Sequence, residues 1–236
     1  MFDYISCTII NPQIAKSLLT DSRFSFKSIY NHKTKQWEDG NIAVFHQMKI
    51  YVYSNGRIIF KGSLHKLYNG IYTNCAWNHD QFDFSKVSIA VDFFRDLNLD
   101  PSELKLSNYE VGHNLHLNIS CKDFLNSLIC YKSKSFHEMR AANLYCINGK
   151  DCYLDEYAVK IYDKGLQYNF NIDNLLRIEK KIRKIRNSGR QFLTLADVLD
   201  KSFWKECQNQ LIDIIEDFII VEPTDQNLNR REFTIL

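Results

Sequence analysis

The chain has 236 residues, 45% apolar and 25% charged, with only three prolines and eight glycines. That composition suits one large domain and excludes collagenous, mucin-like and linker-rich chains. No stretch of 18 uninterrupted apolar residues occurs, and the start MFDYISCTII shows neither a basic leader nor a cleavage signature, so a cytoplasmic protein, neither secreted nor membrane-spanning, is expected. Seven cysteines, odd in number and without a C-x-x-C pair, favour reduced thiols over a disulfide framework or a zinc knot.

Residues 1–10 alternate loosely and read as a strand. Asn11-Pro12 opens a short helix to about Leu19, since proline is pre-organised for a first helical turn. Between Ile42 and His65, AVFHQMKIYVY and RIIFKGSLH flank Ser54-Asn55-Gly56, a strong hairpin signal. The Asn-, Tyr- and Gly-rich stretch from Leu67 to Phe84 reads as a loop. Ser85 then caps a helix with Val87, Val91, Phe94 and Leu97 at 3–4 spacing, broken at Asp100-Pro101-Ser102. A strand is expected over Tyr109 to Ser120 and a helix from Lys122 to about Tyr131.

Residues 153–180 read as a second antiparallel pair turning at Gly165, although Leu175, Ile178, Ile182 and Ile185 also fit a helical spacing. Thr194 with Asp197 has the form of a capping box, and Ser202 heads a helix carrying Phe203, Cys207, Leu211, Ile214, Ile215 and Phe218. Antiparallel pairs interleaved with helices, without a βαβ rhythm, give an α+β class: an antiparallel β-sheet with helices packed on it and a helical C-terminal segment. The expected organisation is one domain over 1–190 and a helical extension over 191–236 packed on the same core.

The net charge of +2 is small, but its distribution is uneven. From Arg177 to Arg190 there are seven basic residues (Arg177, Lys180, Lys181, Arg183, Lys184, Arg186, Arg190) against one acid, Glu179. Such a run is either a solvated face or a surface that tracks phosphates.

On a strand, Lys160, Tyr162 and Lys164 share the face opposite Val159 and Ile161. A phenol flanked by two ammonium groups is placed to attack a phosphodiester, because positive charge favours phenolate and lysines can hold the phosphate. The same parity puts Glu110, Gly112, Asn114 and His116 on one face of YEVGHNLH. Glu110 with Asn114, or Asn114 with His116, could supply ligands to Mg²⁺ or Mn²⁺. In KGSLHKLYNG, Ser63, His65 and Lys66 offer phosphate donors or a metal ligand. Arg177 and Glu179 share a face of LLRIEKK on a strand expected to pair with 158–164. No P-loop, G-x-G-x-x-G, G-x-S-x-G or H-E-x-x-H motif occurs, against kinase, dehydrogenase, serine-hydrolase and zincin chemistry.

Taken in order, MFDYISCTIINP, KGSLHKLYNG, YEVGHN, VKIYDKGLQY, LLRIEKKI and TLADVL resemble blocks of plasmid and phage rolling-circle replication initiators, nearest to the gene II/X-like replication proteins. The resemblance spans roughly residues 1–200. It implies a DNA endonuclease that nicks and rejoins one strand of origin DNA through a tyrosine and a divalent ion, Mg²⁺ or Mn²⁺. It makes Tyr162 the nucleophile with Lys164 as its phosphate partner and Lys160 beside it, and Tyr68 the second candidate nucleophile. Glu110 becomes the leading metal ligand, with His65 and Glu179 after it; Asn114-Leu115-His116 is the nearest match to the family's His-hydrophobic-His pair. Single-stranded or origin DNA would be held by Lys66, Arg177, Lys180, Lys181, Arg183 and Lys184, and a host helicase would separate the strands. The alternative is a DNA- or RNA-binding protein on the same fold without catalysis.

Overall fold

The structure, a computed structural model, describes residues 2–75, 77–140, 147–168, 173–185 and 193–221. Arg186 and Arg190 of the basic run, and the chain beyond 221, lie outside the described residues. The first strand, β1 (Phe2–Ile10), leads through Asn11 into α1 (Pro12–Thr20). The Asn11 carboxamide caps that helix by accepting from the amides of Gln13 and Ile14, both at 3.1 Å.

Three strands and a fourth follow: β2 (Lys27–Asn31), β3 (Gln36–Phe45), β4 (Met48–Tyr53) and β5 (Arg57–Ser63). The expected turn joins β4 to β5, with Gly56 in the left-handed region at φ +78°, the position glycine fills at no steric cost. AVFHQMKIYVY is itself a hairpin rather than one strand. His46 and Gln47 both take positive φ, +45° and +68°, and form a two-residue turn between β3 and β4 without an Asn-Gly signature.

Leu67–Phe84 is not a plain loop. Ser63 caps α2 (Leu64–Thr73), its Oγ accepting from the Lys66 amide at 3.1 Å. Helix α3 (Phe84–Arg95) is capped by Asp83 rather than Ser85, with the Lys86 amide 3.0 Å from its carboxylate. Strand β6 (Lys105–His116) begins earlier and ends earlier than expected. Helix α4 (Cys121–Ser127) gives way to β7 (Leu128–Tyr131), so the helix expected to run to Tyr131 stops short. Next come β8 (Lys134–Ser135), β9 (His137–Arg140), β10 (Ile147–Tyr153) and β11 (Tyr157–Asp163). Gly165 lies inside α5 (Lys164–Tyr168), whose first turn is capped when Asp163 accepts from the Leu166 amide at 2.8 Å. Residues 175–182 resolve as strand, β12 (Leu175–Ile182), not helix.

The Thr194–Asp197 capping box heads a 3₁₀ turn over Leu195–Leu199. Asp200, not Ser202, caps α6 (Lys201–Glu216), and β13 (Phe218–Ile220) closes the described chain. Of the residues expected on α6, Phe203, Cys207, Leu211 and Ile214 are buried, Ile215 is exposed, and Phe218 belongs to β13.

Ten strands form one antiparallel sheet in the order β2-β3-β4-β5-β1-β6-β12-β11-β10-β9. A smaller sheet of β13-β7-β8 lies beside it. Alternation sends Val111, Ile178, Val159 and Ile161 into the apolar cores, against α3, α4, α6 and the 3₁₀ turn. The partners of that alternation (Glu110, Gly112, Asn114, Arg177, Glu179, Lys160 and Tyr162) face the other way, where the sheet floors a polar cleft. Among the described residues no helix is long and apolar enough to cross a membrane.

Candidate active site

A cleft of about 410 Å³ opens on the polar face of the large sheet, spanning β4, β5, β1, β6, β12 and β11. Its lining includes Asp3, Tyr4, Glu110, Lys160, Tyr162, Lys164 and Glu179, together with Lys49, Tyr51, Lys61 and Lys66. The register explains the convergence. β12 sits between β6 and β11 with Arg177 opposite Asn114 and Tyr162, and Glu179 opposite Gly112 and Lys160. Two glycines make room: a Cβ at Gly112 would lie 2.9 Å from Glu179 Cγ, and one at Gly149 of β10 would lie 2.5 Å from Tyr162 Cβ. β1 contributes both Asp3 and Tyr4 because its register with β6 shifts between Phe2 and Ile5, as a bulge does.

Tyr162 is 6% exposed and its hydroxyl donates to Glu179 Oε1 at 2.9 Å. Lys164 Nζ stands 3.4 Å from the same hydroxyl and 2.9 Å from Asn78 Oδ1. Beneath them Arg177, fully buried, spends its guanidinium on three acceptors. Nε donates to Glu179 Oε1 at 2.6 Å, Nη2 to Asp3 Oδ2 at 2.6 Å, and Nη1 to Asn114 Oδ1 at 2.9 Å. Asp3 also accepts from Asn78 Nδ2 at 2.8 Å and from the Ser63 hydroxyl. Lys160 lies between two carboxylates, 3.1 Å from Glu110 Oε1 and 3.8 Å from Glu179 Oε2, and Lys181 reaches Glu110 Oε1 at 2.7 Å.

These contacts set protonation. Burial and the Glu179 charge push the Tyr162 phenol well above its ordinary value, so the ring is a phenol at rest and not the lysine-stabilised phenolate expected on a solvated strand face. Burial, reinforced by the Arg177 charge, pushes the Lys164 ammonium down to about 7. Burial works against the Lys160 ammonium too, but Glu110 and Glu179 outweigh it and hold that group above its ordinary value. For Asp3 the cost of burial is overcome by Arg177 and the Ser63 hydrogen bond, and its carboxyl stays below the usual range.

The structure brings Tyr162, Lys164, Lys160, Glu110, Glu179 and Lys66 to one cleft. The other expected site residues are elsewhere or otherwise engaged. Tyr68 packs half-buried on α2 against Phe82 and Tyr72, away from the cleft lining. His65 is buried, with Nε2 2.7 Å from Asp80 Oδ1 and its ring stacked on Phe82. Burial pushes it down to about 4, so the neutral ring donates from Nε2. Asn114 is consumed by Arg177 and by the His79 carbonyl, to which it donates at 3.0 Å. His116 is exposed at the end of β6. Arg177 is buried and cannot meet DNA at the surface. Lys180 is on the helix-covered face, donating to Gln210 of α6 at 2.9 Å. Arg183 and Lys184 are exposed just beyond β12, with Arg183 over the Tyr153 ring.

Asp3, Glu110 and Glu179 are hard oxygen donors of the kind that suits Mg²⁺ or Mn²⁺. Here each is already matched: Asp3 to Arg177, Glu179 to Arg177 and Lys160, Glu110 to Lys160 and Lys181. The Lys160 ammonium fills the space where an ion bridging Glu110 and Glu179 would lie. Among the described residues no three His, Cys, Asp or Glu side chains converge as a metal cage. As arranged, the donor set does not fit a resident divalent ion.

Sequence reasoning missed Asp3, Asn78, Lys49, Lys61, Tyr4 and Tyr51 as cleft residues. The signal for Ser63 and α2 was present: Leu64, Leu67 and Ile71 recur at helical spacing after a capping serine.

No protein-family model matches the chain, and no curated protein sequence matches it. Among solved structures it is similar to the structure of a rolling circle replication initiator protein from Geobacillus stearothermophilus, with a TM-score of 0.49 and 12% identity over 99% of this chain and 93% of that one.

Proposed function

We propose that the cleft carries out strand transfer on single-stranded DNA, nicking and rejoining a phosphodiester through Tyr162. One observation supports this reading: a buried tyrosine hydroxyl donates a hydrogen bond to a carboxylate and has a lysine ammonium 3.4 Å away, at the wall of a lysine-lined cleft. Glu179 takes the phenolic proton as the phenol oxygen bonds to phosphorus. The bond from phosphorus to the 3′ oxygen breaks, and Lys164 returns a proton to that oxygen. The products are a 5′-phosphotyrosyl strand and a free 3′ hydroxyl, and the reverse sequence reseals the strand. Because the phosphodiester is exchanged for another ester, no nucleotide hydrolysis is needed. Charge on the non-bridging oxygens is met by the lysines of the cleft.

The test is incubation with single-stranded oligonucleotides followed by denaturing electrophoresis. A covalent protein–DNA adduct is expected, lost in Tyr162→Phe and retained in Tyr68→Phe. An adduct that survives Tyr162→Phe overturns the assignment. A second reading, polynucleotide binding without chemistry, draws on the high protonation range of Tyr162; it expects salt-sensitive binding with no adduct from the native protein.

A further inference from the structure

The wall of the cleft remote from Tyr162 carries charge that no carboxylate among the described residues balances. Lys49 of β4 and Lys61 of β5 stand directly opposite one another in the antiparallel ladder, and both line the cleft. Like charges in that position destabilise a sheet. Neither ammonium has a carboxylate within 4.0 Å among the described residues. The contrast with the other wall is sharp, because Lys160, Lys181 and Arg177 are each matched to Glu110, Glu179 or Asp3.

Beside this pair lie two aromatic rings. Lys61 Nζ sits 5.3 Å from the centre of the Tyr51 ring, and Tyr4 lines the same cleft. Two such cations next to half-buried rings that reach the cleft, one of them already bearing Lys181 at 5.3 Å, suit a phosphate with its base set beside it. β5 is four strand spacings from β11 in the sheet, up to about 19 Å at roughly 4.8 Å per spacing. That separation of the strands leaves room for one phosphate at Lys49 and Lys61 and a neighbouring one at Tyr162.

We infer that Lys49 and Lys61, with Tyr51 and Tyr4, form a second phosphate-and-base subsite that holds a single-stranded polynucleotide at a position flanking the one presented to Tyr162. The identity of that first position rests on the strand-transfer reading; the lysine pair and its rings do not. Two anion positions in one cleft select a chain of phosphates over a mononucleotide.

The experiment is fluorescence anisotropy of a labelled oligothymidylate with the full chain, over a salt series. The double variant Lys49→Met/Lys61→Met is expected to bind about tenfold more weakly or worse, with its salt slope reduced by about 1.4, the loss of two single-strand phosphate contacts at about 0.7 each. Its thermal midpoint is expected not to fall, since a repulsive pair is removed, which separates lost binding from lost folding. Tyr51→Leu should weaken binding without changing the slope. Native affinity and native slope in the double variant overturn the subsite, as does absence of salt-dependent binding by the native protein. Lysine-dependent binding with no Tyr162 adduct leaves the subsite standing and removes the strand-transfer reading.

Discussion

Tyr162 and Glu179, on neighbouring strands, share one hydrogen bond of 2.9 Å in which the phenol donates. The same Glu179 oxygen receives Arg177 Nε at 2.6 Å, so the acceptor is fixed in orientation before any substrate arrives. A base held this way loses no side-chain freedom when it accepts the proton. The high resting protonation of the phenol is compatible with attack only if proton transfer accompanies it, and this geometry provides for that.

Lys164 gives the proposed strand-transfer step a pH signature. With its ammonium pushed down to about 7, the proton donor to the leaving oxygen is lost as pH rises through that value. The single-turnover rate of adduct formation is expected to fall above pH 7. Lys164→Arg keeps the charge but cannot give up its proton, so it should lower the rate about as far as Lys164→Met does, by about 10²- to 10³-fold, and both should lose the decline above pH 7. Identical pH profiles for native protein and Lys164→Met would exclude the role.

Arg177 is a structural pillar. Removing it leaves Asp3 and Glu179, both 4% exposed, as buried carboxylates without their principal cation. Arg177→Met is expected to lower unfolding stability by about 3–5 kcal/mol. Arg177→Lys should recover little of it, because one ammonium cannot reproduce a planar fork reaching three acceptors. Urea denaturation measures both, and a loss under about 1 kcal/mol would refute the assignment.

His65 makes the fold acid-sensitive. In the unfolded chain its imidazole protonates near 6.5; in the folded protein burial outweighs Asp80 and Asp3 and delays protonation to about 4. The unfolded state therefore binds more protons within that window, and stability declines as pH falls from about 6.5 to about 4, by up to about 3 kcal/mol. Thermal midpoints at pH 7 and 4.5 should differ clearly in the native protein and less in His65→Gln, which keeps a donor for Asp80. An unchanged difference in the variant counts against it.

Lys160 bears on metal dependence. Because its ammonium lies between Glu110 and Glu179, adduct formation is expected to persist in EDTA. Mn²⁺ titrated into the native protein and followed by electron paramagnetic resonance should show no site, whereas Lys160→Gln, which frees both carboxylates, should gain one. Tight Mn²⁺ binding by the native protein that Glu110→Gln abolishes would reverse this conclusion.

The α+β class, the antiparallel pairing of β11 with β12 and the capping boundary at Thr194 were legible in the sequence, because alternation and caps are local signals. The approach of Tyr162 to Glu179 was legible as well, from the pairing of their strands, whereas Lys164, expected on the same strand face, opens α5 instead. Burial was not. Parity shows that Tyr162 and Arg177 leave the apolar core, but not that Asn78 meets Lys164 from 86 residues away or that Asp3 meets Arg177 from 174. The basic run misled for the same reason: charge density along the chain carries no record of which arginine the sheet encloses. His46-Gln47 was missed because tertiary pairing imposes its left-handed turn where residue preference does not.

The contact between Asp3 and Arg177 ties β1 to β12 across 174 residues of chain. A fragment that ends before β12 has neither Arg177 nor Glu179, so Asp3 and Tyr162 would lack the partners that hold them in the cleft. The cleft is thus assembled only once β12 has joined β1 across the sheet.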